Sequence, residues 1–193
     1  MIKKALCIVD YQNDLVHPKG KVAQGIKGGN SRLVEAQALA PYIQDAIDSC
    51  VAKGYVIVSI QSDYSLDNYI GHYRKQREKK LYVNTAVAGT WGHELYEIVL
   101  PSDAVTVTKY YFDGFYETSL HEELQKLDVD EVYICGVNTD VCVTHTAIGA
   151  AWRGYKTHLI EDLTETISPN KKTQAIEYLA GIVSVDILTS KDL

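Results

Sequence analysis

An acid, a base and a thiol stand out in this sequence of 193 residues, each just past an apolar run. Asp10 follows ALCIV, Lys109 follows AVTVT, and Cys142 lies in GVNTDVCVTHTA, which runs on from EVYIC. A thiolate is a nucleophile, a carboxylate can take and return its proton, and a lysine cation can hold both in their charged forms. The N–H groups of the GVNTDVC turn can face a developing oxyanion. Together these groups make nucleophilic catalysis that needs no histidine. Singly, each has an ordinary alternative: a small core cysteine, a capping aspartate, a solvated lysine at a strand end. Their joint placement is what argues for a site.

That placement comes from the elements. Near-continuous apolar runs at 5–9, 56–60, 104–108, 131–136, 157–160 and 183–188 predict six strands of a mainly parallel sheet covered on both faces. Helical spacing predicts helices at 31–52, 119–127, 141–152 and 170–180, with Ser119 and Glu122 forming a capping box. The alternation gives an α/β class: a three-layer α/β/α Rossmann-like sandwich, one domain over residues 1–193. Ligands of such sheets bind beyond the carboxyl ends of the strands, where strand order reverses. Asp10, Ser62 with Asp63, Lys109 and the GVNTDVC turn stand at four such ends. If the first strand lies beside the fourth, Asp10 and Cys142 are neighbours. At a helix mouth beside Lys109 the Cys142 thiol is expected below its free pKa of about 8.5, with Asp10 pushing the other way. Segment 62–92 is long, polar and Tyr- and Lys-rich, with a short helix expected at 71–79.

Composition excludes several classes. A formal net charge of −6 disfavours a nucleic-acid partner, and no apolar run is long enough for a bilayer. MIKKALCIVD reads as a first strand rather than a leader. Cys7, Cys50, Cys135 and Cys142 lack paired metal spacing, so free thiols in a reducing cytoplasm are expected.

IVDYQNDL at 8–15, KYYFDGFYET at 109–118 and GVNTDVCV at 136–143 resemble the signature segments of the isochorismatase-like cysteine hydrolases, which include nicotinamidases and N-carbamoylsarcosine amidases. AGTWGHEL at 88–95 resembles the family's Gly-Thr-x-Gly stretch. The resemblance implies a triad of Asp10, Lys109 and Cys142, a cis peptide between Val137 and Asn138, and an oxyanion hole from the N–H groups of Asn138 and Cys142. It also implies a homodimer or homotetramer. Because members that cleave isochorismate typically lack the cysteine, Cys142 points to C–N hydrolysis. The sequence departs from the pattern at Leu15, at Asp113-Gly114, and at Asp63-Tyr64-Ser65, where nicotinamidases carry Asp-x-His and bind a metal. Only Asp63 and His72 remain as ligands, a poor zinc set, so no cofactor is expected.

The resulting expectation is a metal-independent amidohydrolase that cleaves a small carboxamide or ureido compound through a thioester. The alternatives are a metal-dependent nicotinamidase using Asp63 and His72, and a non-catalytic binding member. Phe115 is the expected pocket wall, with Tyr111 beside it. Tyr64, Tyr69, Tyr73, Tyr82, Tyr110 and Tyr116 are placed in the flanking loops.

Overall fold

The computed structural model describes residues 2–80 and 83–193; Tyr82 lies outside the described residues. Its strands are Lys3–Val9 (β1), Val56–Ser62 (β2), Val105–Lys109 (β3), Val129–Val137 (β4), Lys156–Glu165 (β5) and Asp186–Leu188 (β6). They form one sheet in the order β3-β2-β1-β4-β5-β6, every neighbouring pair parallel. Strand order reverses between β1 and β4.

The helices are Asn13–Val16 (α1), Lys21–Gly25 (α2), Val34–Gln37 (α3), Ala40–Ala52 (α4), Gly71–Arg77 (α5), Leu120–Lys126 (α6), Thr144–Trp152 (α7) and Pro169–Tyr178 (α8). Strand side chains alternate faces, and β1 divides them cleanly. Leu6 and Ile8 pack with Ile43, Ile47 and Cys50 of α4. Ala5, Cys7 and Val9 pack on the other face with Leu120 and Leu124 of α6 and Ala147 and Ala150 of α7. The result is the three-layer parallel sandwich the apolar runs predict. Among the described residues no helix is long and apolar enough to cross a membrane.

Three local expectations are corrected. The helix expected at 31–52 breaks into a 3-10 turn, α3 and α4. Pro41, which has no N–H to give the preceding turn, sits in the first turn of α4. The Ser119 side chain caps nothing; Thr118 takes that place, its Oγ1 accepting from the Leu120 N–H at 3.2 Å. The last strand begins at Asp186, because the chain after α8 continues as a wide π turn to Val183 and stops at Ser184, whose φ is +63°.

Gly136 marks the closest approach of β4 to β1. Its φ is +108°, and a Cβ there would lie 2.1 Å from the Val9 carbonyl oxygen. Gly136→Ala therefore combines a backbone conformation that L residues avoid with a backbone clash. It should cost about 3 kcal/mol or more, read as a lower urea midpoint; an unchanged midpoint would show that β1 and β4 part there without penalty.

Candidate active site

Asp10 follows β1 with a φ of +56° and is fully buried. Its Oδ1 accepts from Ser62 Oγ and its Oδ2 from Lys109 Nζ, both at 2.8 Å. Lys109 ends β3, two strands away, and Ser62 ends β2 between them. Lys109 Nζ also donates to Ser62 Oγ at 2.8 Å and to the Tyr111 carbonyl at 3.1 Å. A further contact joins it to Tyr64 Oη at 3.2 Å. Tyr64 Oη in turn lies 3.3 Å from Cys142 Sγ. Either the phenol or the thiol can be the donor in this contact.

Cys142 lies in a π turn, Thr139–Val143, that feeds α7, rather than in the first turn of the helix. The turn closes on the Asn138 carbonyl, which accepts from the Val141 and Val143 N–H groups at 3.0 and 3.2 Å. The Val137–Asn138 peptide before it is cis. Asp10, Asn138 and Cys142 line one cavity with Leu15, Tyr64, Phe112 and Val141. A larger groove of about 660 Å³, lined in part by Lys3, Lys4, Lys53 and Tyr55, lies where the strands begin and holds none of these groups.

The charge states differ from the sequence expectation. Burial and then the Asp10 carboxylate push the Cys142 thiol up, to about 12, and Lys109 offsets only part of this. The helix-mouth argument fails because the sulfur is almost wholly removed from water. Burial is the largest influence on the Lys109 ammonium and works against it, but Asp10 and Cys142 together outweigh it and hold the lysine above its usual value. Burial raises the Tyr64 phenol well above its own. The resting set is thus a thiol, a phenol and an ion pair.

Other expected residues fall elsewhere. Phe115 is not a wall of this cavity: it is stacked on Tyr155 at 5.9 Å beneath Arg153. Asp113 Oδ1 accepts from the Phe115 N–H at 2.8 Å and Thr146 Oγ1 from the Gly114 N–H at 3.0 Å, a turn that folds Phe115 into the core. Phe112 takes its place. Tyr111 lines an outer cavity with Tyr73 and Tyr116, and Tyr69 Oη donates to the Tyr110 carbonyl at 2.7 Å. Sequence reasoning placed Tyr64 only among the flanking tyrosines. Its signal was adjacency to Asp63 at the end of β2, where the side chain of a following residue can turn over the strand ends.

The remaining polar residues of IVDYQND are pegs. Gln12 Oε1 accepts from the Ser62 N–H at 2.8 Å, Asn13 Nδ2 donates to the Trp91 carbonyl at 2.9 Å, and Asp14 Oδ2 accepts from the Ala86 N–H at 2.9 Å. They tie Ser62, Ala86 and Trp91 to the chain that follows β1.

The Isochorismatase domain family matches residues 4–192. The chain is 28% identical over 197 residues to the nicotinamidase/pyrazinamidase of Mycobacterium tuberculosis, covering 97% of this chain and 99% of that one. It is 26% identical over 194 residues to the isochorismatase family protein PncA of Bacillus subtilis (strain 168), covering 96% and 99%. Among solved structures, the pyrazinamidase of Pyrococcus horikoshii in complex with zinc superposes with a TM-score of 0.81 at 28% identity, covering 97% and 99%. The N-carbamoylsarcosine amidase of Thermoplasma acidophilum shares the fold, with a TM-score of 0.78 at 24% identity, covering 100% and 99%.

A zinc ion does not fit the residues present here. Asp63 Oδ1 accepts from both the N–H and the Oγ of Ser65, at 3.0 and 2.5 Å. His72 stands exposed on α5 beside Gln76. Among the described residues no group of three His, Cys, Asp or Glu side chains is placed to hold a metal.

Iodoacetamide with mass mapping tests the charge states. Cys142 lines the cavity and should react before Cys7, Cys50 and Cys135, which are buried in the core. Because the folded thiol titrates near 12, thiolate grows and the rate should climb about tenfold per pH unit from roughly pH 7 to 9. Lys109→Met, removing the one cation that lowers the thiol, should slow it further. A plateau near neutrality would show an already ionised sulfur.

Proposed function

The chain belongs to the Isochorismatase domain family, and on that premise we propose that it is a one-domain amidohydrolase, hydrolysing a C–N bond of a small carboxamide or ureido compound with Cys142 as nucleophile. The observation that carries this reading is the convergence of Asp10, Asn138 and Cys142 on one cavity, with Lys109 buried behind Asp10.

In this mechanism Cys142 Sγ attacks the carbonyl carbon while its proton passes to the Asp10 carboxylate. Charge develops on the carbonyl oxygen, and the backbone N–H groups of Asn138 and Cys142 receive it. Asp10 then gives its proton to the departing nitrogen, which leaves as ammonia from a primary amide. The acyl group remains as a thioester. Asp10, again a carboxylate, takes a proton from water as that water adds to the thioester, and returns it to the sulfur as the acid departs. Lys109 keeps Asp10 oriented throughout. Tyr64 donates to the sulfur as it ionises, a hydrogen bond to a charged group worth about 1.5–3 kcal/mol.

Relatives named nicotinamidase and pyrazinamidase make those two amides the first to test. Their metal-dependent form is the weaker reading here, because Asp63 is engaged with Ser65 and His72 faces solvent. A non-catalytic member is the reading from another class, and the probable inactive nicotinamidase of Arabidopsis thaliana, 26% identical, makes it concrete.

Ammonia release across a panel of small amides and ureido compounds tests the proposal. Cys142→Ala should lower turnover at least about a thousandfold with folding preserved. Tyr64→Phe should lower kcat about ten- to a hundredfold, and should also slow Cys142 alkylation at fixed pH, which a merely structural role would not do. A chelator should leave the rate unchanged. Turnover that survives in Cys142→Ala, or that disappears with chelation and returns with zinc, would reject this mechanism.

A further inference from the structure

The cavity beside Cys142 has a volume of about 10 Å³, room for about one water. It cannot enclose the acyl part of any substrate. Phe112 is a wall of this cavity and also of a second, open one of about 380 Å³. The Phe112 ring is half-buried against the core cluster that contains Cys142, and it meets Tyr64 at 6.3 Å and His145 at 5.8 Å, with the Arg77 guanidinium 5.8 Å from its centroid. Phe112 is the partition between a place where chemistry can occur and a place where a substrate can sit.

The outer cavity has its own chemistry. Tyr73, Tyr111, Phe112, Tyr116 and His145 present rings, and Asp113 presents the one carboxylate. Aromatic faces carry negative potential and attract cations, most effectively when water is excluded. Tyr111 and Tyr116 meet edge to face at 5.0 Å, and Tyr73 stacks on Tyr111 at 5.6 Å, so the wall is already assembled. Asp113 is fixed by the Phe115 N–H and by packing against Gly149. Burial is the largest influence on its carboxyl and raises it, so a cation beside it recovers lost solvation. Of the chain's own nearby cations, Arg77 lies 5.8 Å from the Phe112 centroid, and Arg153 lowers the Asp113 carboxyl without cancelling the effect of burial. Lys109 pairs with Asp10, Arg153 donates to the Gly149 carbonyl at 3.0 Å, and His145 Nδ1 lies 2.7 Å from the Val141 carbonyl.

We propose that this aromatic vestibule binds the end of the substrate distal to the scissile bond, that this end is an ammonium or alkylammonium cation, and that Phe112 turns aside to let the amide arm reach Cys142. The inference rests on the reading of Cys142 as nucleophile. It narrows the substrate class to cationic amides. Phe112, Tyr111, Tyr116 and Asp113 become specificity determinants.

An isosteric pair of amides tests it. 4-(Trimethylammonio)butanamide and 5,5-dimethylhexanamide have the same shape and differ in one charge, three methylenes from the carbonyl. The cationic amide should have a kcat/KM about tenfold or more above the neutral one. Asp113→Asn keeps the acceptor for the Phe115 N–H but removes the charge, and Tyr116→Leu removes an exposed ring. Each should cut that ratio severalfold. Labelling of Cys142 by cationic and anionic methanethiosulfonates gives a readout independent of turnover, with the cationic reagent faster and the preference lost in Asp113→Asn. Amide turnover and Cys142 labelling with no charge preference, or with the anion preferred, would overturn this inference alone. An inert Cys142 and no turnover of any amide would overturn the nucleophile reading, and this inference with it.

Discussion

The buried pair of Asp10 and Lys109, 2.8 Å apart, is the constraint to which the rest of the site conforms. Removing two charges from water costs several kcal/mol for each ion, recovered only with close geometry and full hydrogen bonding. The sheet supplies both. β3, β2 and β1 lie side by side, and parallel strands are spaced at about 4.8 Å, so a lysine ending β3 must cross a whole strand to reach Asp10. Its four-carbon stem does so, and Ser62 at the end of β2 serves as the stepping stone, accepting from Lys109 and donating to Asp10. A shorter cation at position 109 would stop at β2. With Asp10 and Ser62 taking two of the three ammonium N–H groups, the Tyr111 carbonyl and the Tyr64 hydroxyl share the third.

The second strand-order neighbour of β1 completes the arrangement. Val9 and Gly136 are paired in register, and only a residue without a side chain lets β4 pass so near the Val9 carbonyl. The turn that carries Asn138 and Cys142 therefore emerges beside Asp10. The peg residues Gln12, Asn13 and Asp14 then hold Ser62, Trp91 and Ala86 beside the end of β1. This explains why IVDYQND is polar immediately after a buried strand: one of its carboxylates faces the cavity, and its other polar groups satisfy backbone that would otherwise be buried unpaired.

Much of this was legible in the sequence, for definable reasons. Apolar runs declare buried parallel strands, and strand ends declare where a ligand can bind, so the sheet and the gathering of Asp10, Lys109 and the GVNTDVC turn follow from local pattern. What was not legible depends on distant partners. Tyr64 is positioned by backbone bonds to Thr85 and Asn84, which no window around Tyr64 contains. Phe112 and Phe115 are three apart in one loop, and only the turn made by Asp113, Gly114 and the distant Thr146 decides which enters the core. The break before α4 is marked in the sequence by Pro41, which apolar spacing alone does not register. The thiol's charge state is not legible because the helix mouth that favours a thiolate is a local pattern, while the burial that opposes it comes from the whole fold.

That charge state bears on how such a site would work. The resting cavity holds a carboxylate, an ammonium and a neutral thiol, which sum to zero. Passing the thiol proton to Asp10 leaves a neutral acid, an ammonium and a thiolate, which also sum to zero. The negative charge moves from oxygen to sulfur while Lys109 remains close to both, so no net charge is created in a medium of low dielectric. The proton belongs to the group rather than to one residue, and its position is set by what occupies the cavity. A bound carbonyl carbon beside the sulfur, with N–H groups facing its oxygen, favours the thiolate arrangement, since the charge then passes on to an oxygen already provided for. An empty cavity with room for about one water favours the thiol. In the proposed mechanism the nucleophile is therefore generated by the substrate's arrival, and the high resting pKa of Cys142 is compatible with attack rather than opposed to it.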